Sequence, residues 1–336
     1  MSTVRESPSH VSARSPPSQP RESAGARVVV AATMEDYIVE LLSETPEPRD
    51  RARQQALTDQ FLAPALAVIE TLMLELRAGL DPALRDRDPT FAGKPYPLGQ
   101  CLQITEAVHA RLLNVEASEV SARAAEGLAA LRAFLAAGGQ MRRAWGDLRD
   151  QYFQNALIVG TLYVDVSNDT VVVTKPPVEI LPFDQAGFRP IADYAHYARI
   201  AGRYWRTRTL PNHLVPELSP YLPLIEVLPT GRLRLGAFNR YMLGLTLSKT
   251  FTPAEDALSA PPLPPGLFAG LSAAVRDGPA VLAESPSAGR AAALASCRAY
   301  RTEGRAACAA TYNRALAAGR AINRLLAGVV VIPEVG

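Results

Sequence analysis

The sequence predicts an α+β protein, mainly helical, with one small antiparallel sheet and a proline-rich irregular region. Three observations carry that class. Apolar residues recur at three- and four-residue spacing through most of the chain up to residue 156. The period then changes to alternation in LIVGTLYVDVSNDTVVVTKPPVEILPF, 157–183, a stretch rich in valine. Helical spacing returns in an Ala/Arg-rich run over 287–327. Helices, then strands, then helices, without alternating βαβ units, indicate packed layers rather than a doubly wound sheet.

Residues 1–27 are rich in Ser, Pro and Arg and poor in apolar groups, so they bury too little surface to offset the entropy of ordering and read as a disordered tail. The same Ser/Arg-rich, acid-poor composition fits an export leader. One main domain is expected over 30–330. Its first element is MEDYIVELL, 34–42, a short helix capped by Thr33. A long helical pattern follows over 49–80, with Pro64 expected to kink it and Gly79 to end it. Further helices are predicted at 100–114, 118–136 and 139–156. In the valine-rich stretch, SND is a turn signal, which gives a hairpin near 161–174. A helix is expected at 190–206, with a proline in its first turn. Proline interrupts 207–265 every few residues, so that region reads as irregular with short strands at RLRLGAF and YMLGLTLSKTF. The Ala/Arg run reads as one helix weakened by glycine, and VVVIP as an edge strand.

Composition narrows the function. The chain has 336 residues and a net charge of +2, too little for the basic footprint of a nucleic-acid binder. No apolar run reaches the roughly 18 residues needed to cross a bilayer, so no membrane partner is expected. Three cysteines make no disulfide framework. Cys297 and Cys308, on what reads as one helix, would stand roughly 16 Å apart, too far to bond. Reduced thiols fit the cytoplasm, with export through the leader as the alternative. No His/Cys/Asp/Glu cluster has metal-ligand spacing, and no glycine-rich phosphate loop is present, so neither a metal nor another cofactor is expected.

Candidate chemistry begins at Cys101. KPYPLGQC places two prolines and Gly99 before a cysteine that opens a helix, where free backbone N–H groups and the helix dipole stabilise a thiolate. The same residue type also packs as a small buried hydrophobe. Over about a dozen residues the pattern resembles the nucleophile segment of papain-like and transglutaminase-like enzymes. That resemblance implies a histidine later in the sequence, which His196 and His213 both satisfy, although neither stands on an evident strand followed by Asp or Asn. His109 is about two helical turns from Cys101, roughly 12 Å along the axis, and too far for contact. His196 lies three residues after Asp193, within side-chain reach on a helix.

Asp165, inside a predicted strand where Asp is disfavoured, is the candidate orienting or polarising group. Tyr163 shares its side of the strand, and Gln154 and Asn155 precede the hairpin as candidate cleft residues. Asp169 reads as a turn residue bonded locally. Arg203 and Arg206, in RYWRTR, suit a phosphate or a stacked base, or simply pack over rings at the surface. These residues lead to a thiol enzyme for acyl transfer or amide hydrolysis, with Cys101 as nucleophile, His196 or His213 as base, and a small-molecule or peptide substrate. The alternatives are a non-catalytic interaction or secreted effector protein, with the Ala/Arg helix as its contact surface, and a small-molecule biosynthetic enzyme using a polar cleft around Asp165.

Overall fold

A computed structural model describes residues 33–331, so the expected tail at 1–27 lies outside the described residues. Helix α1 (Met34–Leu41) begins at Thr33 with a reciprocal capping box to Asp36, as the sequence indicates. Next come α2 (Arg51–Leu57) and α3 (Leu66–Arg87), separated at Pro64 by a π turn and a 3₁₀ turn. Helix α3 continues through Gly79 and Pro82 instead of ending at the glycine. Its last turns are held by buried Leu84 and by the Arg77–Asp81 ion pair. A two-stranded ribbon, β1 (Thr90–Phe91) and β2 (Lys94–Pro95), leads into α4 (Cys101–Leu112), and α5 (Ala122–Ala136) follows.

The predicted helix at 139–156 is instead a hairpin, β3 (Met141–Leu148) and β4 (Tyr152–Val159), turned by Arg149 and Asp150, both with positive φ. Bulky Trp145, Tyr152, Phe153, Ile158 and Val159 suit a pleated surface buried on both faces. Their packing there overrides the helical spacing. β5 (Leu162–Asp165) pairs with β4 across a turn at Gly160. The predicted second arm at 170–174 forms no strand. Thr170 gives its carbonyl to the Gly99 amide at 2.8 Å, Asp169 is taken by Arg77, and Val172 and Val173 are exposed. β6 (Glu179–Pro182) pairs with β5 instead. The chain then runs through α6 (Phe183–Ala186), β7 (Phe188–Arg189) and α7 (Tyr194–Tyr204). The result is an antiparallel five-stranded sheet ordered β6-β5-β4-β3-β7, rather than one small hairpin.

The proline-rich region is more ordered than expected. β8 (Arg208–Pro211), β9 (Leu224–Val227) and β10 (Leu233–Gly236) form an antiparallel three-stranded sheet. Proline sits at the last residue of β8, on an edge strand, where the missing N–H disrupts no inner ladder. α8 (Arg240–Ser248) replaces the strand expected at YMLGLTLSKTF, since Asn239 caps it and all but its ends are buried. α9 (Thr252–Leu258) and α10 (Pro265–Ala274) follow. The single Ala/Arg helix is in fact two, α11 (Pro286–Thr302) and α12 (Ala309–Leu326), broken at Gly304, which has a φ of 64°. Cys297 and Cys308 therefore lie on different elements, and all three thiols are free. Of the VVVIP segment only 329–331 fall among the described residues, and there Val330 bridges to Arg232.

Three hydrophobic cores result. One lies among α7–α12 and the three-stranded sheet, a second between α3–α5 and one face of the five-stranded sheet, and a third on the opposite face. No helix among the described residues is long and apolar enough to cross a membrane.

Candidate functional site

The opening of α4 is shaped as the sequence suggests. Gly99 has a φ of 77°, Gln100 is the N-cap residue, and Cys101 is the first helical residue. The loop is tied down by the Gly99–Thr170 backbone bond and by Gln100 Nε2 donating to the Asp88 carbonyl at 2.8 Å. α4 lies on β4, where Asn155 faces it. The amide Nδ2 of Asn155 donates to Cys101 Sγ at 3.3 Å. Cys101 is buried, and burial pushes its thiol above the ordinary value despite that bond.

Asp165 closes β5 with no exposed surface. Its carboxyl accepts from Gln154 Nε2 at 2.7 Å, the Tyr163 hydroxyl at 2.9 Å, the Ser167 amide at 2.8 Å and the Ser167 hydroxyl at 3.0 Å. Desolvation outweighs these donors and pushes the carboxyl up to about 6. Tyr163 is likewise raised, mainly by burial. The Thr105 hydroxyl of α4 donates to the Asn155 carbonyl at 3.1 Å, and the Ser167 hydroxyl that serves Asp165 lies within 3.3 Å of the same carbonyl, so the Cys101 and Asp165 neighbourhoods form one buried polar network. It continues to Asp169, which is not a locally bonded turn residue. Arg77 of α3 grips both Asp169 oxygens at 3.0 Å and donates to the Val166 carbonyl at 2.8 Å. Arg77 carries no motif, but its position on the stripe Ile69, Leu72, Met73, Leu76, a charged residue on a core-facing row, is the signal that marks it.

The histidines are engaged elsewhere. His196 Nδ1 accepts the Ala192 N–H at 3.2 Å, so the ring proton sits on Nε2, which points at Asp147 Oδ2 at 3.2 Å. Asp193 caps α7 by accepting the His196 amide rather than contacting its ring. His213 donates Nε2 to the Leu258 carbonyl at 2.9 Å, and burial lowers its pKa. Among the described residues, Cys101 Sγ is hydrogen-bonded by the Asn155 side chain and by neither histidine.

Asp147, Asp150 and His196 bring one potential ligand atom each within 4.8 Å of one another. Their chemistry does not fit a cation. A metal-bound Nε2 needs the proton on Nδ1, and Nδ1 faces a backbone donor. Arg189 already pairs with Asp147, and Arg199 and Arg203 with Asp150. Asp147 and Gln154 are buried, because they lie on strands packed on both faces rather than on the helix predicted at 139–156. Arg203 is committed to Asp150, while Arg206 is exposed beyond the end of α7, with a φ of 55°.

Two open cavities, of about 370 and 510 Å³, lie along α11 and α12, the larger beside Tyr300, Arg305 and Arg314. Neither is lined by Cys101, Asn155 or Asp165. No family model, no curated protein and no solved structure matches the chain.

Proposed function

We propose that this chain is a non-catalytic interaction protein in which Cys101 is structural. The single observation behind this reading is the Asn155 amide on the Cys101 sulfur, at the place a proton acceptor would have to occupy. A thiol nucleophile needs a neighbouring base or a stabilised thiolate. An amide accepts no proton near neutral pH, and burial favours the neutral thiol. Asp165 is saturated by protein donors and has no exposed surface, which argues against a substrate cleft there. The two cavities lie instead along the Ala/Arg helices, which also carry exposed Arg314, Arg320 and Arg324.

The test is iodoacetamide labelling of the folded full chain across pH, with sites mapped by mass spectrometry. Cys101 is expected to stay unlabelled, or to react only above the ordinary thiol pKa of about 8.5. Rapid labelling of Cys101 at neutral pH would end this reading and restore thiol chemistry.

A further inference from the structure

Charge is unevenly distributed along this nearly neutral chain. Residues 286–326 hold seven arginines and one acid, Glu303, whereas residues 34–136 hold sixteen acids and ten basic residues. Several arginines in the C-terminal helices are engaged locally. Arg298 and Arg301 pair with Glu255, Arg305 with Glu303, and Arg290 bonds the carbonyls of Ser259 and Ala260. Arg320 and Arg324 are different, being exposed and without a carboxylate partner among the described residues.

Neighbouring elements extend this basic surface. Arg240 and Arg320 both act electrostatically on Tyr312. Asn323, next to Arg324, accepts the Leu235 amide at 2.6 Å, which brings Arg234 and β10 alongside α12. Arg232 bridges to Val330, which is 55% exposed. The counter-charge of Arg234 is Glu226, fully buried beneath it, and Arg240 pairs with Glu40. This side of the molecule therefore presents exposed Arg320 and Arg324 beside the Arg232–Arg234 edge of β10, with Arg240 paired to Glu40 and Val330 exposed next to Arg232.

The complementary surface is on the same molecule. Where α3 crosses α5, Gly127 packs on the backbone of Val68 and Ile69, which brings exposed Glu70 and Glu126 to one crossing. Neither acid has an ion-pair partner among the described residues. Arg123 is bonded into the crossing through Thr71, and Glu75 through Ser121. Leu66 and Leu74, each 38% exposed, stand one turn either side of Glu70 on α3.

We propose that the α12–β10 basic face docks on the α3–α5 acidic face of a second copy of this chain. The two faces differ, so the contact is head to tail and leaves one free face at each end of a pair. Opposed charges steer the encounter and set its orientation, with Val330, Leu66 and Leu74 supplying apolar contact. This inference rests on reading the chain as an interaction protein, but it is read out by association rather than by thiol reactivity.

Sedimentation velocity of the full chain tests it, over a concentration series at about 50 mM and about 500 mM salt, which shortens electrostatic reach several-fold. Association that grows with concentration at low salt and weakens at least about ten-fold at high salt is expected. The double variants Arg320→Glu/Arg324→Glu and Glu70→Arg/Glu126→Arg, all at exposed positions, are each expected to be monomeric with unchanged circular dichroism. Mixed together, they should associate again, because every junction between the two variants opposes a basic and an acidic face. A chain that stays monomeric throughout, association that survives both reversals, or a mixture that remains monomeric would each overturn the proposal. Reactive Cys101 together with the expected association would remove the proposed function and leave this contact standing.

Discussion

Arg77 and Asp165 show how single residues set this site. Arg77 is 2% exposed yet remains charged. Burial alone would lower its pKa, but the bonds to Asp169 and Asp81 outweigh that and raise it. Its three-point grip fixes the 166–170 segment against α3 and so removes that segment from the sheet. Asp165 has the opposite problem, because its carboxyl is raised from 3.8 to about 6 by burial. The folded state then holds a proton that the unfolded state has lost between those two values. Stability linked to Asp165 is present at the acid end of that window and declines as pH rises through it, by roughly 3 kcal/mol in all. Urea unfolding of the wild type and Asp165→Asn between about pH 4 and pH 7 checks this. The wild type is expected to gain on the variant toward pH 4, and a pH-independent difference would refute the assignment. The residue types were legible in the sequence at Cys101, Asn155 and Asp165. The Asn155–Cys101 contact and the Arg77–Asp169 grip were not, because both form only through tertiary packing.

Among elements, α3 and α5 cross closely at Gly127. A Cβ on Gly127 would collide with the backbone carbonyl of Val68 and meet Ile69 N at 2.9 Å, and neither atom can rotate away. Helix propensity favours alanine by up to about 1 kcal/mol, but overpacking costs about 1–3 kcal/mol, so Gly127→Ala should destabilise. On the same helix pair, a Cβ on Gly79 meets nothing within 4 Å, so Gly79→Ala should stabilise by up to about 1 kcal/mol. Urea midpoints at unchanged slope measure both, and a stabilised Gly127→Ala would mean the crossing is looser than described. Helices α1, α4 and α5 and the break at Pro64 follow from caps, spacing and proline alone. The hairpin of β3 and β4 does not, since the turn at Arg149 and Asp150 lacks the usual glycine or asparagine signal.

At the scale of the molecule, β4 joins the three cores. Phe153 belongs to the first, Leu157 and Val159 to the second, and Tyr152, Ala156 and Ile158 to the third. Losing β4 would open all three, so residues 33–331 are expected to unfold as one cooperative unit. Far-UV circular dichroism, which follows all the helices, and the fluorescence of Trp145 and Trp205 should share one urea midpoint. Two separated transitions would mean that the first core stands alone. By itself the sequence determined the mixed α+β class, the short-range helices and their caps, and the turn into Cys101. Each depends on residues within a few positions of one another. Tertiary structure alone decided the five-stranded sheet, the grip of Arg77 on Asp169, the amide beside the thiol, and the separation of His196 and His213 from Cys101. The Asn155–Cys101 and Arg77–Asp169 contacts span 54 and 92 positions, and β7 returns to β3 across about 40; such contacts form only when burial across the whole fold offsets the entropy of closing the intervening chain.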